Sequence, residues 1–458
     1  MKTSAQRTTP TLTAKPARFP ARPACLAAMA LLALAGCSRG GSTGGIGSLF
    51  GGTAPTRGQP GFVRGFLGAA VADEPRAALV ARDVLSAGGS AVDAAVAGGF
   101  VMAALLPSRA GLGGGGACLV FNPQRGQTES IAFPAGARGA LPGNTDRPAA
   151  LPAMARGLFA LHTRGGTLRF EQVIRPAEEL ARNGTEVSRA LAQDIAVVFR
   201  PLLADPAARA IFARPDGTPM QEGDRLVQPD LGGTIGQMRI SGVGDLYQGV
   251  LARRLAEASL TAGGGLTVEE LRATLPRMAN ASGVRVGNDV VNFPASEADG
   301  GATASAFQVG GGGGGATGAQ AGLLTVDRNG MAVTCAFSMN NLFGTGRVAR
   351  GTGIVLGAAP GGAVPAAPLA VILAQNANLR SFRAAVAGTG QGDAPAAAAG
   401  TMAQLLRNQP VVNAIQAGAV GGRASAISCP RYLPGAASLC EAATDPRGSG
   451  VALGSAGR

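Results

Sequence analysis

Beyond residue 70 the hydrophobic positions fall into two rhythms. PRAALVARDVLSAGG, residues 75–89, repeats apolar side chains at three- and four-residue spacing, which predicts a helix closed by Gly88 and Gly89. Ser90 opens the next helix, and Asp93 three positions on completes a pair in which each side chain can take the other's backbone N–H. That second helix, AVDAAVAGGFVMAALL, is apolar nearly all round, as a helix laid against a sheet must be. GLGGGGACLVFNP and TESIAF then read as short strands, the first led in by five glycines between Gly111 and Gly116. Further on, Thr267 and Glu270 mark another capped helix. LLTVDRNGMAVTCAFS reads as strand, tight turn and strand, running into the glycine-bearing loop NNLFGTG.

Composition narrows this pattern to one large layered domain. Of 458 residues, 46% are hydrophobic, but only 4% are aromatic and there is no Trp, while glycines number 72. Such a core depends on close backbone approach rather than on large rings. The formal charge of +13 does not signal nucleic-acid binding. Both lysines and three arginines (Lys2, Arg7, Lys15, Arg18, Arg22) cluster before Cys37 without an acid, and the later arginines are scattered, with few aromatics for base stacking.

The basic N-terminus is followed by the apolar run ACLAAMALLALAGC, too short for a comfortable membrane span and ending in small residues, which reads as a signal peptide over 1–36. Leu34-Ala35-Gly36-Cys37 resembles the bacterial lipobox, in which the cysteine carries lipid; Ser38 after it points to the outer membrane. Residues 37–63 are rich in Gly, Ser and Thr without periodicity and read as a flexible tether, leaving 64–458 as a single domain. In an oxidising periplasm Cys429 and Cys440, in one irregular stretch, are expected to form a disulfide. Cys118 and Cys335 lie in strand-like runs and read as separate buried thiols. No C-x-x-C pair exists and the single histidine, His162, lies in a helical run, so neither a metal cluster nor a histidine-based triad can be assembled, and no cofactor is implied.

From about Val71 onward these motifs together resemble the γ-glutamyltranspeptidase family. ALVARDVLSAGGSAVDAAVAGG and GLGGGG are similar to its N-terminal signature, DLYQGVLARRLAEASLTAGGGLTVEELRA to its central helices, and TVDRNGMAVTCAFSMNNLFGTGRVARGTGIVLG to the hairpin after its nucleophile. The part after Gly357 is shortened and divergent. The resemblance implies an α/β (α+β) fold, a four-layer αββα sandwich of the N-terminal-nucleophile hydrolase type. It also implies cleavage into a large part (64–316) and a small part (317–458), and small γ-glutamyl compounds as ligands beside the membrane. In the family a threonine freed by self-cleavage attacks the substrate, its own α-amine, of pKa ~8, taking the hydroxyl proton.

By the same register that threonine is missing. It stands seven residues before the strand's aspartate, here Asp327, and counting back reaches Gln320, followed by Ala321 and Gly322. The arginine that clamps the substrate carboxylate becomes Pro134, the paired serines become Ala370 and Val371, and the acid after GIVLG becomes glycine. The retained substrate-binding positions are Ser338 and Asn340, with Gly390 and Gly392 of the loop GTGQGD, which in the family offers backbone N–H groups to the oxyanion. The leading reading is therefore a lipid-anchored, catalytically degenerate member. The alternative is a working transferase or hydrolase on glutathione-like compounds, with Thr317 as nucleophile and Arg138 as clamp. It requires a three-residue shift, which turns a strand side chain to the opposite face.

Overall fold

The computed structural model describes residues 67–139, 141, 143, 145–310, 319–361 and 364–454. The segment read as signal and tether, with Cys37, lies outside them, as does Thr317.

Two antiparallel sheets form the frame. The strands are β1 (Gly68–Ala72), β2 (Gly115–Asn122), β3 (Gln127–Phe133), β4 (Arg277–Asn280), β5 (Ser282–Val286), β6 (Asp289–Phe293), β7 (Gln320–Asp327), β8 (Ala332–Ser338), β9 (Val371–Asn376), β10 (Ser381–Thr389), β11 (Arg423–Leu433), β12 (Glu441–Thr444) and β13 (Val451–Gly454). The first sheet has the order β13-β1-β7-β8-β2-β3-β4 and the second β12-β11-β10-β9-β6-β5. Helices α1 (Pro75–Ser86), α2 (Ala91–Leu105), α3 (Met154–His162) and α4 (Phe170–Asn183) cover the first sheet; α5 (Ala394–Leu406) and α6 (Val411–Gly418) cover the second.

Strand alternation sorts the side chains into three cores. Cys118, Val120, Leu323, Val333 and Phe337 share a core with Val96, Phe100 and Leu158 of the first helix layer. The intervening residues Leu119, Phe121, Leu324 and Val326 turn the other way and pack with Val371, Leu373, Phe382 and Ile427 of the second sheet. The opposite face of that sheet, with Ile372, Ala384 and Val386, packs on Ala398, Met402 and Leu405. Helix, sheet, sheet, helix is the αββα sandwich of the N-terminal-nucleophile hydrolases.

Small residues permit the close layering. All fifteen residues of α2 are buried, and a Cβ on Gly157 of α3 would stand 2.1 Å from Cγ of Phe133. Both reciprocal caps form, Ser90 with Asp93 and Thr267 with Glu270. Asp93 also accepts from the N–H groups of Thr167 and Leu168 and from the Thr167 hydroxyl. Burial acts to raise its pKa, but the His162 and Thr167 hydrogen bonds hold it at about 2.

One expectation is corrected. Cys118 and Cys335 are not free thiols but a disulfide, and a second disulfide joins Cys429 to Cys440. The first follows from register: β2 and β8 are neighbours with Cys335 directly opposite Cys118, Cα–Cα 4.1 Å. Across 217 residues of sequence that pairing has no local signal.

Candidate functional site

Gln320 begins β7, opposite Ser338 of β8. Its side chain lies on the face that looks toward the second sheet, and it is fully buried. There its Oε1 accepts the backbone N–H of Gly390 at 2.9 Å and of Gln391 at 2.6 Å, while Nε2 donates to the carbonyl of Pro368 at 2.5 Å. The loop after β10 is shaped to present those N–H groups. Gly390 has φ 115° and Gln391 φ 49°, a left-handed conformation that glycine adopts freely and glutamine does not. Gly392 lies one residue further, inside the single turn Gln391–Asp393. The amides that the resemblance assigns to an oxyanion thus meet a neutral carboxamide of the protein's own chain.

Asn340 and Ser338 are brought to the same end of the sheet, and both are engaged structurally. Ser338 Oγ donates to the carbonyl of Ala319 and accepts the N–H of Asn340. Asn340, buried at φ 61°, donates from Nδ2 to the carbonyls of Ala135 and Ala358 and accepts the N–H of Ala367 on Oδ1. One side chain thereby ties three loops: the one after β3, which carries Pro134, the one after Leu356, and the one before β9. Ala370 and Val371 are buried and fill the space between layers.

Arg138, the alternative clamp, is engaged within the chain. Its guanidinium forms a two-pronged pair with Glu270, Nε–Oε1 3.0 Å and Nη2–Oε2 2.6 Å, and donates to the carbonyls of Gly264 and Gly265. Asp327, the register's anchor, accepts from the N–H groups of Ala91, Asn329 and Met331, while burial pushes its carboxyl above the ordinary value.

Beside Asn340 a pocket of about 540 Å³ opens, lined by Asn341, Thr345, Ala358, Ala359, Gly361 and Arg147 among others. Its charged groups are partly engaged: Asp146 pairs with Arg347 and Arg147 donates to the carbonyl of Thr345. It has the volume of a small-molecule site.

A second constellation was invisible in the sequence reading. Asp73, at the end of β1, accepts the N–H of Gly322 at 2.8 Å and returns its own N–H to the Gly322 carbonyl. Around it gather Arg109, Thr389, Arg423 and Ser425, which with Asp73 come from four separate segments that only the sandwich assembles. Among the described residues no group of three or more His, Cys, Asp or Glu forms a metal site.

A family model described as Gamma-glutamyltranspeptidase matches residues 77–310. The chain is 33% identical over 228 residues to the glutathione hydrolase proenzyme of Escherichia coli (strain K12), a match covering 46% of this chain and 39% of that protein. It is 32% identical over 214 residues to the corresponding proenzyme of Bacillus subtilis (strain 168), covering 43% and 36%. The matches thus span well under half the length of these relatives. Among solved structures, cephalosporin acylase from Bacillus halodurans superposes with TM-score 0.66 at 17% identity, covering 87% of this chain and 98% of that one, a likeness of fold. With the signature helices, the glycine-led strand pair and the four-layer sandwich all in place, the chain belongs to the γ-glutamyltranspeptidase family.

Proposed function

We propose that this protein is a catalytically silent member of its family, held by lipid on Cys37 at the periplasmic face of a bacterial membrane, the outer membrane by its Ser38. There it serves as a binding or envelope-associated module. The observation that carries the reading is Gln320. At the strand position where the family places its nucleophilic threonine, the side chain has no hydroxyl and no freed α-amine, and its carboxamide oxygen satisfies the two N–H groups of Gly390 and Gln391. Transfer chemistry needs nucleophile, base, oxyanion donors and substrate clamp together. Here the first two are replaced, the third is engaged internally, and Arg138 is committed to Glu270.

The test is autoprocessing with turnover. The purified mature protein should run as one band on a denaturing gel and release no chromophore from a γ-glutamyl anilide. Two fragments, the smaller beginning at Thr317, together with release of the anilide product, would overturn the proposal. The anchor is tested separately: Cys37→Ser should move the protein from the membrane to the soluble periplasmic fraction, since acyl chains rather than a spanning helix would hold it. Unchanged membrane retention would remove the lipoprotein assignment.

A further inference from the structure

The chamber around Asp73 has a charge pattern that the family site does not use. Two of its cations are matched: Arg109 pairs with Asp194 at 2.5 Å and Arg447 with the lining Asp445 at 2.6 Å. Arg423 has no ion pair among the described residues; the carboxyl that feels its charge most directly is that of Asp73. Thr389 and Arg423 are opposite each other in the β10–β11 ladder, so their side chains rise from the same rung, and Ser425 follows two residues on along the same face. The chamber leaves about 20 Å³ for the centre of a water-sized particle, a space for one small ion or water.

We propose that this chamber is a site for one monatomic anion, a halide, held between the guanidinium groups of Arg423 and Arg109 with the hydroxyl of Thr389 as a further donor. The donor set is suited to it: guanidinium N–H groups and a hydroxyl line the same small chamber. Half-buried Arg423 gives the route of entry.

Binding is coupled to a proton. Asp194 and Asp445 are neutralised by their arginines, so the charge at the chamber is set by Arg423 and Asp73. Desolvation raises the Asp73 carboxyl, against the Gly322 N–H and the charges of Arg109 and Arg423. When Asp73 is ionised it balances Arg423 and repels an anion; when it is protonated the chamber carries one net positive charge and the halide supplies the balance. Halide affinity therefore falls by up to about tenfold per pH unit once Asp73 ionises.

The experiment uses the mature protein with bromide as the probe. Crystals grown in sodium bromide should show an anomalous peak within contact of the Arg423 guanidinium. Thermal melting should be raised by sodium bromide over sodium gluconate at equal ionic strength, more so at about pH 5 than at about pH 8. Asp73→Asn, neutral at every pH, should respond equally at both, and Arg423→Gln at neither. The proposal is overturned if no bromide peak lies in the chamber, or if Arg423→Gln keeps the wild-type response. Should that variant fail to fold, the bromide peak and the pH response of Asp73→Asn decide the matter, and an Asp73→Asn response that still weakens with pH would also overturn it.

Discussion

The carboxamide oxygen of Gln320 receives the backbone N–H of Gln391 at 2.6 Å, a contact between two glutamines 71 residues apart. A glutamine side chain ends in the same γ-carboxamide that the family's substrates carry. The loop therefore grips an internal copy of a γ-glutamyl amide, and the strained φ of Gln391 is retained because the bond it aims is made.

Gln320→Ala should destabilise the fold by about 1–3 kcal/mol, because it leaves two partly buried N–H groups and the Pro368 carbonyl without their partner. Gln320→Thr should recover no turnover, since the position of the substrate clamp is still Pro134. Chemical denaturation and the anilide assay check the two halves; turnover by Gln320→Thr would show that the missing hydroxyl was the sole defect.

The structure now predicts that thiol labelling of the unreduced, denatured mature protein finds none of Cys118, Cys335, Cys429 and Cys440 reactive. In the loop-entropy picture closure across 217 residues restricts the unfolded chain by roughly 5 kcal/mol. Paired replacement of Cys118 and Cys335 by alanine should therefore lower the denaturation midpoint far more than paired replacement of Cys429 and Cys440, which closes 11 residues. Equal losses would show that native packing, not loop closure, dominates.

Asn340→Ala should cost about 2–4 kcal/mol. It strands two carbonyls and one N–H in the interior and places alanine at φ 61°, where asparagine is better tolerated. Because those bonds knit the loops around the pocket, proteolysis should cut near 135–148 or 358–367 first; a cut pattern identical to the wild type would argue against the tie.

Glu74 is a buried cap of α1, and burial pushes its pKa to about 7, against hydrogen bonds from Ser188 and the Arg76 N–H. Its folded pKa stands above the unfolded value of 4.5, so the stability it lends is complete below that pH and is lost as pH rises toward about 7. Glu74→Gln should flatten this loss and be more stable than wild type at alkaline pH, by roughly 3 kcal/mol. Urea melts across that range check the sign.

Asp93 works in the other direction. With its pKa held at about 2, its contribution is present above the ordinary carboxylate value and disappears as pH falls toward 2. Asp93→Asn should remove about 2 kcal/mol at neutral pH; a variant as stable as wild type would mean that the amide replaces the hub of five donors without loss.

The helices, both reciprocal caps and the strand pair were legible because each is written in local spacing: Ser90 and Asp93 are three residues apart, and α2 declares its burial on every face. The reading that places Gln320 where the family has its threonine came from counting back from Asp327. The partners that Gln320 takes there were not legible. Gln320 meets Gly390 across 70 residues, Arg138 meets Glu270 across 132, and Cys118 meets Cys335 across 217. Each meeting depends on strand order and register or on how the layers and loops pack, quantities set only after the strands exist. The Asp73 chamber drew together four segments at once, and so left no trace in spacing.

Strand β1 lies between β7 and β13, so the earliest strand described has both its partners late in the chain. During synthesis the first sheet has no neighbour for residues 68–72 until residue 327 has emerged, and none on its outer side until residue 454. Contacts of such sequence separation slow folding, because chain entropy is lost long before they form. A polypeptide that cannot close its sheet early remains threadable for longer, and the N-terminal helix α2, apolar nearly all round, must meanwhile be kept from other chains. Chaperone dependence would thus be dictated by where one short strand sits.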